Sequence, residues 1–203
     1  VLFDRVYHVS DVYVIPTNTG TITAFIVQAA LGQKTYVIEN DVIHSWGGYF
    51  EYIAPPILFQ GGLLWARTRG GRVEIVKSDG TIVFTLAWPN FPNQYPKLHA
   101  WSDHWILEAS DFVIQDGENL NKKLDYLQIY DWSLVQHNPT YFFRKGSRVG
   151  ISFNGYILPL RYDEVWHGKC CGLAAYNPRI SENYIHFFGK RDGFWYYVTM
   201  DFN

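Results

Sequence analysis

The chain has 203 residues, of which 48% are hydrophobic and 18% charged, so it is long and apolar enough for a packed core, and its composition argues against disorder. A net charge of −2 gives no electrostatic reason to expect nucleic acid or an anionic membrane as partner, and no apolar run approaches the roughly 20 residues that span a bilayer. The 2 cysteines are neighbours, Cys170 and Cys171, which excludes a disulfide-stapled scaffold and reads as a pair of free, buried thiols.

The chain opens VLFDRVYHV, with neither an initiator Met nor a signal peptide, and is expected to be a processed product or a piece of a longer chain. Five segments in succession then repeat one pattern: an apolar stretch, a two-residue turn and a second apolar stretch. They are RVYHV-SD-VYVI, ILFQ-GG-LLWA, KLHAW-SD-HWILEA, RVGISF-NG-YILPL and IHFFGKR-DG-FWYYVT. Asn-Gly, Asp-Gly and Gly-Gly are the dipeptides that a type I′ hairpin turn demands, because both central residues need positive φ. The residues after the turns, Val12, Leu63, His104, Tyr156 and Phe194, recur at a spacing near that of propeller blades.

Further strand candidates lie between these hairpins. Thr21–Ala29 and Lys34–Glu39 follow the first. Arg72–Lys77 and Thr81–Ala87 follow the second, on either side of a Ser-Asp-Gly turn. Leu124–Asp131 and a TYFFRK stretch follow the third, and CGLAAYN and NYIHFF the fourth. QDGENLNKKLDYL has enough Asp, Gly and Asn to read as a loop rather than a helix.

The expected fold is therefore all-β: a β-propeller-like stack of about four to five antiparallel blades, the last one incomplete, within one domain over residues 1–203. A β-sandwich of long hairpins is the alternative. The repeat carries no Trp-Asp, kelch or sugar-binding lectin signature. The last hairpin ends in Phe194, Trp195, Tyr196 and Tyr197, an edge that needs a cover.

In such a stack the long connections gather at one end: His44–Pro56, Trp88–Pro96, Ser110–Lys123 and Tyr162–Lys169. Their rings, Trp46, Tyr49, Trp88, Phe91, Tyr95 and Trp166, are the candidate partner- or ligand-binding residues, since Trp and Tyr dominate interface anchors and also stack on sugars. The opposite end, with its tight turns, is expected to be inert.

Catalytic signatures are weak. Asp116 with Glu118 and Asp163 with Glu164 are the pairs a glycan hydrolase would draw on, and their two carboxyls would have to face each other across about 5–10 Å. His167 with Cys170 and Cys171 lacks the second ligand pair of a zinc site, and SDGT and QDGEN do not complete a calcium loop. No catalytic residue, metal or cofactor is expected.

The reading is a non-enzymatic binding or structural module, extracellular, at a cell surface or in a virion, with a protein partner or a homo-oligomer, and with glycan as a further ligand class. A glycan-active hydrolase and a cytosolic propeller scaffold for protein complexes are the alternatives.

Overall fold

In the computed structural model, residues 6–29, 34–87, 95–109, 111–167 and 177–202 are described. The chain divides into two compact units, Val1–Leu107 and Glu108–Asn203.

The first unit holds two five-stranded antiparallel sheets. One comprises β1 (Val6–Val9), β2 (Tyr13–Thr17), β3 (Gly20–Ala29), β4 (Lys34–Glu39) and β5 (Val42–Ser45). The other comprises β6 (Tyr52–Ile53), β7 (Ile57–Phe59), β8 (Gly62–Arg69), β9 (Arg72–Lys77) and β10 (Ile82–Ala87). Strand β11 (Lys97–Trp101) follows, and β12 (His104–Ala109) carries the chain into the second unit. Period-2 burial explains how the two sheets meet. Ala24 and Ile26 of β3 and Val37 of β4 face Leu63 and Trp65 of β8 and Val76 of β9, with Tyr13, Ile15 and Ile22 at the margin.

The second unit begins with β13 (Phe112–Gln115), β14 (Glu118–Asn119) and a short helix, α1 (Leu120–Leu124). A four-stranded meander follows: β15 (Gln128–Val135), β16 (Asn138–Lys145), β17 (Arg148–Phe153) and β18 (Tyr156–Ile157). The last sheet holds β19 (Glu164–Val165), β20 (Arg179–Ile180), β21 (Tyr184–Arg191) and β22 (Phe194–Asp201). Phe142, Val149 and Ile151 of the meander pack on Ile185 and Phe187 of β21, with Tyr130, Tyr162 and Val165 completing the cluster. The fold class is thus the expected one: all-β, in consecutive antiparallel sheets that pack face to face within each unit as neighbouring blades do.

Four of the five repeated hairpins form, although the second turns at Gln60–Gly61 and not at the expected Gly-Gly, because Gly62 already pairs with Phe59. The last two turns have the geometry their dipeptides require, Asn154 and Gly155 at φ 48° and 78°, Asp192 and Gly193 at 51° and 85°. The first is a correction. Val6–Val9 and Tyr13–Thr17 do not pair with each other; both lie along β3, His8 opposite Gln28 and Tyr13 opposite Ala24. Ser10 keeps the chain running straight, its N–H donating to Ile26 O and its Oγ accepting from Ile26 N–H, each at 2.9 Å.

Three further expectations are corrected. His44–Pro56 is not wholly loop, since β5 reaches Ser45 and β6 occupies Tyr52–Ile53. Ser110–Lys123 is not a loop either: β13 and β14 turn at Asp116–Gly117, and QDGENLNKKLDYL contains the helix. Asn119 Oδ1 accepts the Lys122 N–H at 3.0 Å and Asp125 closes the helix at φ 57°, so the same polar residues that suggest a loop act as its caps. Leu124–Asp131 is accordingly not a strand throughout, and β15 starts at Gln128. The CGLAAYN candidate falls almost entirely outside the described residues, as do Cys170 and Cys171.

The fifth sheet is short. β19 and β20 share one edge of β21, Val165 opposite Gly189 and Arg179 opposite His186, while β22 takes the other edge along its whole length. Asn177 joins the two edge pieces: its Oδ1 accepts the Phe188 N–H at 2.8 Å and its Nδ2 donates to Trp166 O.

Candidate functional site

Alternation along β21 divides its side chains cleanly. Ile185, Phe187 and Gly189 are buried against the meander, and Tyr184, His186, Phe188 and Lys190 on the other face are half-buried. β22 continues both faces: Val198 opposite Phe187 and Met200 opposite Ile185 inside, Tyr197 opposite Phe188 and Trp195 opposite Lys190 outside.

The outer face is a connected aromatic surface. Trp166 lies 5.6 Å from Trp195 and 6.3 Å from Phe188; Phe188 lies 5.0 Å from Tyr197. His186 is stacked with Tyr197 at 5.8 Å, meets Tyr184 at 4.5 Å, and its Nδ1 is 3.0 Å from Thr199 Oγ1. Trp195 and Tyr197 of this face are 46 and 62% exposed, and Phe194 and Tyr196, opposite Arg191 and Gly189 on the other face, are 69 and 49% exposed. Contiguous exposed apolar patches of this kind are uncommon on protein surfaces. This one has a sequence signal, the rings at both parities of Tyr184–Phe188 and Phe194–Tyr197, which is the pattern of strands covered on both faces.

The loop residues expected to bind are distributed between the two units. Trp46 is a core cap: its indole N–H donates to Ser78 O at 2.9 Å, and its ring meets Trp65 at 5.7 Å and Phe50 at 6.0 Å, both edge-on. Trp46→Phe is expected to cost about 1–2 kcal/mol by leaving the Ser78 carbonyl without its donor. A denaturant titration that shows no change would mean that the indole N–H bond to Ser78 contributes nothing to stability. Tyr49 is half-exposed and Tyr95 is 61% exposed, the latter stacked on Tyr52 at 4.5 Å. Tyr49 and Tyr52 line a hollow of about 240 Å³ with His8, Ser10, Gln28 and Glu51. Trp166 belongs to the aromatic face of the last sheet. Trp88 and Phe91 lie outside the described residues.

The tight-turn end of the first unit is not bare. A cleft of about 590 Å³ opens there, with Phe59, Leu63 and Leu64 in its wall and Glu39, His44, Lys77 and Asp79 among its lining residues. Asp79 is engaged locally: the Thr81 N–H donates to it at 2.8 Å and holds its carboxyl below the usual range. That contact makes SDGT an Asx-type turn between β9 and β10.

Two acids of the hydrolase alternative have basic partners. Glu118 is bound by Lys123 Nζ at 2.7 Å, and Asp163 by Arg148, with Asp163 also accepting the Asp192 N–H at 3.0 Å. Among the described residues no group of three His, Cys, Asp or Glu could hold a metal ion.

The fold is an all-β chain of antiparallel sheets, with exposed rings on the outer face of the last one. Neither a family description nor a curated protein matches the sequence. One solved structure resembles the chain, the crystal structure of BBS1N in complex with ARL6DN, soaked with mercury, at a TM-score of 0.44 and 11% identity over 95% of this chain. The chain spans 65% of the length of that one.

Proposed function

We propose that the chain is a non-enzymatic protein-interaction module that associates through the β19–β22 sheet. The observation that carries this reading is the combination on β22 of an edge that no described strand pairs and four exposed rings, of which Trp195 and Tyr197 are continuous with Trp166, His186 and Phe188. Strand addition would satisfy the edge through backbone hydrogen bonds, and the rings would provide the anchors that interfaces favour. Tyr49, Tyr52 and Tyr95 offer a second, smaller aromatic contact on the first unit. In the same reading the assembly is one at a cell surface or in a virion; recovery of the chain from cytosol alone would count against that part.

The test is site-specific cross-linking. With a benzophenone amino acid at position 197, illumination in the native source is expected to give one discrete protein adduct, identified by mass spectrometry. The same group at position 147, on the turn between β16 and β17, should give none. A ladder of unrelated adducts from both positions would overturn the proposal.

A further inference from the structure

We infer that the partner of β22 is β22 of a second copy, paired antiparallel about a two-fold axis through Val198. This rests on the reading of the β19–β22 sheet as an association surface and adds to it the identity of the occupant. β22 bonds to β21 on one side, and among the described residues no strand pairs its other side. From Phe194 to Asp201 it carries neither proline nor an inward-pointing charge, the devices that ordinarily block edge-to-edge addition.

Symmetry limits the register. A two-fold axis normal to the sheet keeps the outer face of one copy continuous with that of the other, so only registers that pair outward residues with outward residues are allowed. With Val198 on the axis, Tyr197 lies opposite Thr199 of the second copy, Tyr196 opposite Met200, and Trp195 opposite Asp201. The buried-side rows through Val198 and through Tyr196 and Met200 are then apolar, with Phe187 and Val198 continuing into the same pair from the second copy. On the outer face the row runs from Lys190 across Trp195 to Asp201 of the second copy. Two strand spacings put that lysine and aspartate about 10 Å apart at Cα, within reach of an extended lysine stem lying over the indole.

The neighbouring allowed registers are worse. An axis at Tyr197 sets Asp201 opposite Gly193 and beside Asp192 of the second copy, like charge against like. An axis at Thr199 confines the pairing within β22 to Tyr197–Asp201, against Trp195–Asp201 for an axis at Val198.

Four rings of about 200 Å² each, roughly half exposed, supply about 400 Å² per copy and about 800 Å² in the pair. That falls below the roughly 1,200 Å² of a stable specific interface and within the range of weak, transient ones, so the dimer is a reversible one of micromolar or lower affinity.

Sedimentation velocity of the full chain across about 1–100 µM is expected to show monomer passing to dimer. Asp201→Lys should weaken the dimer at least about 10-fold by facing lysine with lysine, and Asp201→Lys combined with Lys190→Asp should restore it. Mild oxidation should give a covalent dimer from Val198→Cys and not from Thr199→Cys, with the wild-type chain as the control for Cys170 and Cys171. Circular dichroism verifies that each variant is folded. A chain that stays monomeric throughout, or a dimer indifferent to the charge reversal, overturns the inference. A monomer whose position 197 still cross-links to a different protein leaves the interaction reading standing, while a monomer with no adduct removes both.

Discussion

Glu74→Gln is expected to lower the stability of the chain by about 3 kcal/mol. Arg67 is 7% exposed, so its cationic guanidinium is held out of water. Glu74 is its counterion, with Oε2 accepting from both Arg67 Nε and an Nη at 2.8 Å. The rest of the guanidinium surface is covered by rings, 4.3 Å from the Phe50 centroid and 5.0 Å from that of Trp46. Those faces are attractive to a cation but contribute about 1–2 kcal/mol at most, far short of the desolvation cost of an unpaired charge. Glu74 is itself 20% exposed at its side chain, so water can reach the site after substitution, which sets the expectation at the lower end of the range for breaking a buried pair. Arg67→Met in the Glu74→Gln background should recover most of the loss, because an apolar chain of similar length leaves no charge behind. Guanidinium chloride denaturation of the four variants measures this cycle. A Glu74→Gln loss below about 1 kcal/mol would show that the rings alone satisfy the arginine.

That site also shows what the sequence could not convey. Trp46, Tyr49 and Tyr95 are rings in connections of the same aromatic-rich kind, and composition treats them alike. They differ because Ser78, 32 residues away, presents a carbonyl to one indole N–H. Nothing local to Trp46 encodes that partner.

Turns were legible wherever the chemistry is local. Asn154–Gly155 and Asp192–Gly193 adopt positive φ because few other residue types do so at low cost, and each therefore announces its hairpin. Ser10–Asp11 is the same dipeptide as Ser102–Asp103, which does turn with Ser102 at φ 51°, so the dipeptide alone does not decide, and at the first site the bonds between Ser10 and Ile26 keep the strand extended. Polar residues around α1 were ambiguous for a related reason: Asn and Asp cap helices with the same side-chain bonds they use in turns. The aromatic face of the last sheet was half legible. Phe194–Tyr197 stood out as an edge, whereas the alternation of Tyr184, His186 and Phe188 on the neighbouring strand declares an outward face only once the register of β21 with β22 is known.

Phe187 and Phe188 are adjacent in sequence and should respond in opposite ways. Phe187 has no exposed surface and makes edge-to-face contacts with Phe142 and Tyr162, each at 5.1 Å, between the meander and the last sheet. Phe187→Ala removes a full aromatic ring from that packing and is expected to cost about 4 kcal/mol, the cavity term adding to the lost transfer energy. Little relaxation is open to the site. The Cβ of an alanine at Gly189 would lie 2.6 Å from Tyr162 Cδ1, so the tyrosine already rests against the backbone of β21 and has no room to move toward it. Phe188 points the other way, half-buried between Trp166 and Tyr197, and Phe188→Ala should cost only about 1 kcal/mol of stability. Its larger effect belongs to association, since it removes the ring on which Tyr197 leans at the edge of β22. The expected pair of results is therefore a steep loss of thermal stability for Phe187→Ala, and near-normal unfolding with weakened cross-linking from position 197 for Phe188→Ala. Equal destabilisation by the two substitutions would mean that the outer face is packed core rather than surface, and would remove the physical basis for association through the β19–β22 sheet.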